Sequence, residues 1–283
     1  MAKSKFRKNR GIVLAYVFLS LLGIVMVYPL VWMFFSSFKT NAEIFGSISL
    51  LPKQWVTTAF VMGWSSVGRY TFTTFYKNSF MITIPVVILT VFSCMLTAFG
   101  LTRFRFRFKK LFTAVVIGTI LLPHSVLIIP RYLLYNRFNW INTFNPFIIP
   151  AACATSSFHV FMAMQFVRGI PMELDEAARI DGCNYWGIFW RIILPLSKPT
   201  MFTIGLFTFM SSWNNFMDSL IYLDSVSKYP ISLGLRLCID NSAYIEWNQI
   251  LAMSTLSILI PIAIYFFAQK YFVEGISTTG LKG

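Results

Sequence analysis

Side chains able to do chemistry are scarce in this chain and gather in three places. An apolar run over about 200–223 is interrupted by Ser211, Ser212, Trp213, Asn214, Asn215 and Asp218. Polar groups inside such a run are costly unless they face a cavity or another helix. Trp offers a flat apolar face, and Asn both donates and accepts. The set therefore suits the rings and hydroxyls of a sugar; it equally suits hydrogen bonding between helices. The second place is the polar stretch 167–200, VRGIPMELDEAARIDGCNYWGIFWRIILPLSKPT, with Glu173, Asp175 and Glu176 near its start. The third is the pair of histidines, His124 and His159. Each fits a packing or cavity role better than metal ligation.

Other chemistries lack their residues. No GxxxxGK[ST] run is present to cradle nucleotide phosphates, and no HExxH or similar metal set occurs. Cys94, Cys153, Cys183 and Cys238 are scattered without CxxC or Cys/His spacing and read as free thiols. Asp218 is the one acid of its run and has no basic partner there, so the paired carboxylates of a proton-driven carrier are missing. A secondary carrier would also show paired inverted halves, and no internal repeat stands out. A membrane-embedded lipid or glycan transferase would need an acid/base or metal cluster at one face. None can be assembled, so neither a catalytic residue nor a metal ligand is expected.

The elements that must position these groups follow from composition. Of 283 residues, 57% are hydrophobic and only 12% charged, about half the charge of a soluble domain. Mean hydropathy is +0.67. The net charge of +14 would suit a nucleic-acid binder only if it formed a basic face. Instead the cations cluster beside apolar runs, so no nucleic-acid partner is expected and membrane lipid is. Six runs are long enough to cross a bilayer as helices: about 11–35, 78–102, 111–130, 146–167, 200–223 and 248–268. The first follows a basic start but is too long for a secretory signal. With the amino terminus inside, sixteen of the 24 Lys and Arg fall on inner segments, which predicts both termini in the cytoplasm. The segments 39–77 and 224–247 then lie outside, where 39–77 is either a docking surface or a solvated loop.

The inner stretch 168–199 reads as a helix, a turn and a second helix. Pro171 suits a first turn, and Glu173, Asp175 and Glu176 complement the positive end of the helix. Ala177 and Ala178 leave room for close approach by another protein. Gly182 sits where a left-handed residue would stop the helix. Asn184 can cap the next helix, whose Trp186, Phe189, Trp190 and Ile193 form a stripe to hold it down, and Pro195 closes it.

Those anchors carry a resemblance. Glu176-Ala177-Ala178, three residues, Gly182, nine residues and Ile192-Ile193-Leu194-Pro195 match the EAA loop of binding-protein-dependent ABC importer permeases. NSFMITIPVVILT, RFRFRFKK, FNWINTFNPFIIP and SSWNNFMDSLIYL look like segments of the carbohydrate-uptake branch. The ending, from Tyr271-Phe272-Val273-Glu274-Gly275 to Thr279-Gly280-Leu281-Lys282-Gly283, is similar to the tail of its maltose-permease-like subunits. The resemblance implies an all-α type I permease fold in a prokaryotic cytoplasmic membrane. It implies import of a sugar or oligosaccharide, with a peptide, polyamine or glycerol-phosphate-type solute as the alternative cargo. It implies ATP and Mg on two separate ATPase subunits, none on this chain, together with a second permease and an extracytoplasmic solute-binding protein. Glu176, Ala177, Ala178, Arg179, Asp181 and Gly182 would couple to the ATPases, supported by Met172, Leu174, Ile192, Leu194 and Pro195. The tail 273–283, through Gly275, Gly280, Lys282 and Gly283, would reach between those ATPases. Trp213, Asn214, Asn215 and Asp218 are the candidates for the substrate cavity.

Overall fold

The computed structural model describes the backbone of residues 2–65, 69–240 and 246–280, and side chains of 12–65, 69–239 and 246–269. Every regular element among them is helical. The chain divides into two compact units, Met1–Thr71 with Leu237–Ile258, and Phe72–Arg236 with Leu259–Gly283.

In the first unit α1 (Ala2–Ser36) is a long apolar helix, and the stretch after it is more ordered than a loop. Two short helices, α2 (Asn41–Gly46) and α3 (Thr58–Ser65), occupy it. Phe38 packs its ring against Phe34, Trp55 and Phe60, while the buried Lys39 donates to the Ser49 carbonyl. Asn41 Nδ2 donates to Glu246 Oε2 at 2.9 Å.

The second unit is built on α4 (Phe72–Arg103), which runs unbroken through Pro85. Against it pack α7 (Asn145–Ala152), α8 (Ser157–Gly169) and α12 (Lys198–Trp213). Ala98 of α4 and Ala163 of α8 are both fully buried, and small residues let membrane helices approach closely. Polar links supplement that packing: Ser93 Oγ donates to the Ala151 carbonyl at 2.7 Å and Ser212 Oγ to Thr83 Oγ1 at 3.2 Å. At the start of α4, Asn78 Nδ2 donates to the carbonyls of Ser227 and Tyr229, and Ser79 Oγ accepts from Ile231 N–H. These bonds hold the first turns of α14 (Ile231–Asp240) against α4.

Four helices or helix pairs are straight, long and apolar enough to span a bilayer: Ile12–Ser36, Phe72–Arg103, Asn145–Gly169 and Trp247–Gln269. The last lies in α15, which runs from Trp247 to Gly280. The other two expected spans are broken. The run 111–130 divides into α5 (Lys109–Ile120) and α6 (His124–Arg137), bent by 110°. Leu122 precedes Pro123, and a residue before proline disfavours the helical region. The run 200–223 stops at Trp213 and resumes as α13 (Met217–Tyr222). Two bent pairs, Lys109–Ile120 with His124–Arg137 and Tyr185–Leu196 with Lys198–Trp213, raise the total to as many as six when each is counted as one span.

Among the described glycines, Gly234 leaves the least room for a side chain. A Cβ there would come within 2.4 Å of the Phe75 ring, and Phe75 and Phe72 are fully buried, edge to face. Gly234→Ala is predicted to destabilise the fold by about 1–3 kcal/mol through overpacking. Thermal unfolding of the purified chain in detergent, followed by loss of the monodisperse peak, measures it; an unchanged midpoint would contradict the packing described.

Candidate functional site

The stretch 168–199 folds as an elbow. α9 (Glu173–Ile180) begins after Met172, with Pro171 one residue outside the helix rather than in its first turn. It ends in a Schellman arrangement: Gly182, at φ +82°, donates to the Arg179 carbonyl and Cys183 to the Ala178 carbonyl. Asn184 then caps α10 (Tyr185–Ile188), accepting from Gly187 N–H at 2.8 Å. A π-helical turn over Phe189–Ile193 leads into α11 (Leu194–Leu196). The elbow turns by 75° before α12, at Ser197, two residues beyond Pro195.

What holds the elbow in place is the end of α4. Arg103 Nε lies 2.9 Å from Asp175 Oδ2, and both side chains are only 5% exposed. The same guanidinium donates to the Ile170 carbonyl at 2.9 Å and reaches Met172 Sδ. Lys109 Nζ donates to the carbonyls of Thr102 and Phe104, closing the exposed end of α4. Beside the ion pair runs a chain of rings: Phe189 on Phe99, Phe99 on Phe104, Phe104 on Tyr185, with the Arg179 guanidinium over Tyr185 at 4.6 Å. Burial pushes the Asp175 carboxyl up from the usual carboxylate range, and the neighbouring Arg103 and Arg179 guanidiniums offset this in part. Asp175 Oδ1 has no hydrogen-bond partner.

The residues named from sequence divide between two faces. Asp175 and Ala178 point inward, so Asp175 is a buried anchor rather than a dipole-capping acid, and only Ala177 of the alanine pair is presented outward. Met172, Leu174, Glu176, Arg179, Asp181 and Gly182 are exposed. So is Ile180, at 87% the most exposed large hydrophobic of α9 and one the sequence reading passed over. Of the expected stripe, Phe189 and Ile193 are buried, while Trp186 and Trp190 face outward. Ile188 and Leu194 join Phe189 and Ile193 in holding the second arm down, with Ile192 half-buried and Pro195 exposed.

At the other end of α12 the helix breaks over Asn214–Phe216. Asn214 bonds the Met210 carbonyl through both its N–H and its side-chain amide, and Asn215 Oδ1 accepts from Asp218 N–H. Irregular backbone at membrane depth survives only inside protein or beside a water-filled cavity. Here it borders a cavity of about 710 Å3, lined by Ser211, Asn214, Asn215 and Asp218 on this side and by His124, Arg131 and Tyr135 of α6 on the other. Asp218 Oδ2 accepts from Asn215 Nδ2 at 3.0 Å and lies 3.6 Å from His124 Nε2. Asp218 therefore does face a basic partner, supplied by a different helix. Trp213 does not line the cavity: it is 2% exposed, stacked on Phe209 and packed on Phe80. In the tail, the helical backbone passes through Gly275 to Gly280, while Lys282 and Gly283 lie outside the described residues.

Residues 79–278 match the family described as the binding-protein-dependent transport system inner membrane component. The chain belongs to that family. It is a multi-pass inner-membrane permease subunit, a transport component rather than an enzyme. It is 34% identical to the probable ABC transporter permease protein YurM of Bacillus subtilis, over 95% of this chain and 88% of that one. It is 30% identical to the arabinooligosaccharides transport system permease protein AraQ of Halalkalibacterium halodurans, over 93% of each. Its fold matches a chain of a bacterial ABC transporter involved in the import of the acidic polysaccharide alginate, with a TM-score of 0.82, 24% identity, and 94% of this permease and 97% of that chain covered.

Removing one partner of a buried ion pair strands the other. Arg103→Met is predicted to cost about 3–5 kcal/mol, and Arg103→Met with Asp175→Leu to recover most of that loss. Thermal unfolding of the two variants beside wild type tests the pairing, and equal losses in the single and double variants would argue against it.

Proposed function

We propose that this permease imports a sugar or oligosaccharide by alternating access, driven through its elbow by separate ATPase subunits. The observation that carries the coupling half of this reading is the buried Arg103–Asp175 pair, which fixes α9 to the end of a spanning helix while its other face stays free. That face joins exposed Leu174, Ala177 and Ile180 to Glu173, Glu176 and Asp181. An apolar centre with a charged rim is the make-up of a protein docking surface. A push on α9 would pass into α4 through the ion pair and the aromatic contacts, and into α12 through the turn at Ser197.

The carbohydrate half is supported by the cavity, where amides, hydroxyls and aromatic rings converge, and by similarity to a permease for arabinooligosaccharides. A second, related permease would complete the cavity. The ATPase pair would carry ATP and Mg, and a solute-binding protein would deliver the sugar from the side opposite the elbow. The distribution of Lys and Arg supports placing the elbow and both termini in the cytoplasm. For the tail, Gly275 to Gly283, the support is its likeness to maltose-permease-like endings, which reach between the ATPases.

The decisive experiment uses Ile180→Asp, since Ile180 has no part in holding the elbow together. The permease is co-purified with its ATPases, second permease and binding protein, and ATP hydrolysis is measured with and without loaded binding protein. Loss of a central apolar contact should cut the stimulated rate roughly tenfold or more. Full stimulation in the variant would remove α9 from the coupling path, and failure of the wild-type chain to recruit any ATPase would overturn the importer mechanism.

A further inference from the structure

The cavity beside the Asn214–Phe216 break holds ionic groups of both signs, Asp218 and Arg131. Asp218 is engaged by Asn215 and faces His124. Arg131 lies seven residues beyond His124 on α6, two turns along the same face, and lines the same cavity. Among the described residues no carboxylate lies within 4.0 Å of its guanidinium. The rings of Tyr135, Tyr222 and Phe147 and the side chains of Ser211 and Asn214 line the same cavity.

An ionised side chain within a membrane protein is retained where it faces a cavity and does work there. Guanidinium presents five N–H donors in a planar fork matched to a carboxylate, a geometry a neutral hydroxyl cannot fill. Aromatic faces suit the apolar side of a sugar ring, and amide and hydroxyl groups suit its hydroxyls. Asp218, beside His124 in the same lining, would repel an anion and so favour one orientation for it. We infer that Arg131 makes this cavity selective for acidic saccharides, with a uronate-type carboxylate of the solute docking on its guanidinium. The inference rests on the saccharide reading above and narrows it to one charge class.

The test is uptake into proteoliposomes containing the complete complex, with trigalacturonate and its neutral counterpart galactotriose as probes. Wild type should take up the acidic trisaccharide in preference. Arg131→Gln should cut that uptake roughly tenfold or more, the loss expected for a charge-assisted pair of hydrogen bonds, while sparing galactotriose. Arg131→Lys, which keeps the charge but not the fork, should fall between them. Wild-type uptake confined to galactotriose overturns the inference. So does unchanged selectivity in Arg131→Gln. Equal loss of both probes from an intact, monodisperse complex overturns it too, and would mean that Arg131 pairs with a carboxylate of another subunit. Binding-protein-stimulated ATP hydrolysis, followed in the same vesicles, separates these results from a failure of the importer reading.

Discussion

The architecture of the second unit depends on one buried ion pair. Arg103 stands at the last residue of α4, where the spanning helix has run out of backbone partners, and Asp175 stands in the first turn of α9. Placing two charges at 5% exposure carries a desolvation cost that a surface pair avoids. In return it supplies direction: the guanidinium is spread over a carboxylate, the Ile170 carbonyl and the Met172 sulfur. Three contacts around one planar group fix the angle at which the elbow leaves the spans. A hydrophobic contact of the same area would hold α9 down but would let it slide, because apolar attraction has no preferred direction.

The helical breaks obey the same economy. Backbone groups freed inside a membrane protein must be satisfied locally, and the sequence places side chains able to do so at the break after α12. Asn214 caps the end of α12 and Asn215 the start of α13. A cluster of Asn, Ser and Asp in an apolar run is thus serving two ends: closing a broken helix and lining the cavity that the break creates. Asn215 shows the overlap within one residue, since its carbonyl oxygen caps α13 while its amide holds Asp218.

Legibility from sequence followed the range of the interactions. The Schellman turn at Gly182 and the cap at Asn184 are contacts between near neighbours, and spacing alone predicts them. The orientation of Asp175 depends on a residue 72 positions away, and an acid in a first helical turn looks the same in sequence whether it faces water or a buried arginine. In sequence Arg103 is one cation of the RFRFRFKK run, whose Arg105 and Arg107 do sit exposed. The second arm was legible by half: Phe189 and Ile193 turn inward as expected, but Trp186 and Trp190, with the bulk of core residues, face out while Ile188 is buried. In a membrane protein exposed aromatic surface carries little penalty, so residue size is a poor guide to which face is buried. Hydropathy likewise recorded the apolar length of 111–130 and 200–223 but was blind to the bend and the break within them.

α12 connects the two halves of the molecule's chemistry because it is interrupted at both ends. Its 16 residues run from the turn at Ser197 to the cap at Asn214, a rigid rod of about 24 Å. The chain bends at the first junction and breaks at the second, so in the proposed mechanism a displacement of the elbow would move this rod without unwinding a helix. At its far end the rod carries Ser211 and Ser212 directly into Asn214 and the cavity wall. α4, by contrast, runs unbroken from Phe72 to Arg103 through the same thickness and packs along α12. In the proposed mechanism α4 would act as a post pinned at its end and α12 as a lever hinged at both. Their relative movement, rather than any change within a helix, is what would open the cavity to one side of the membrane and then the other.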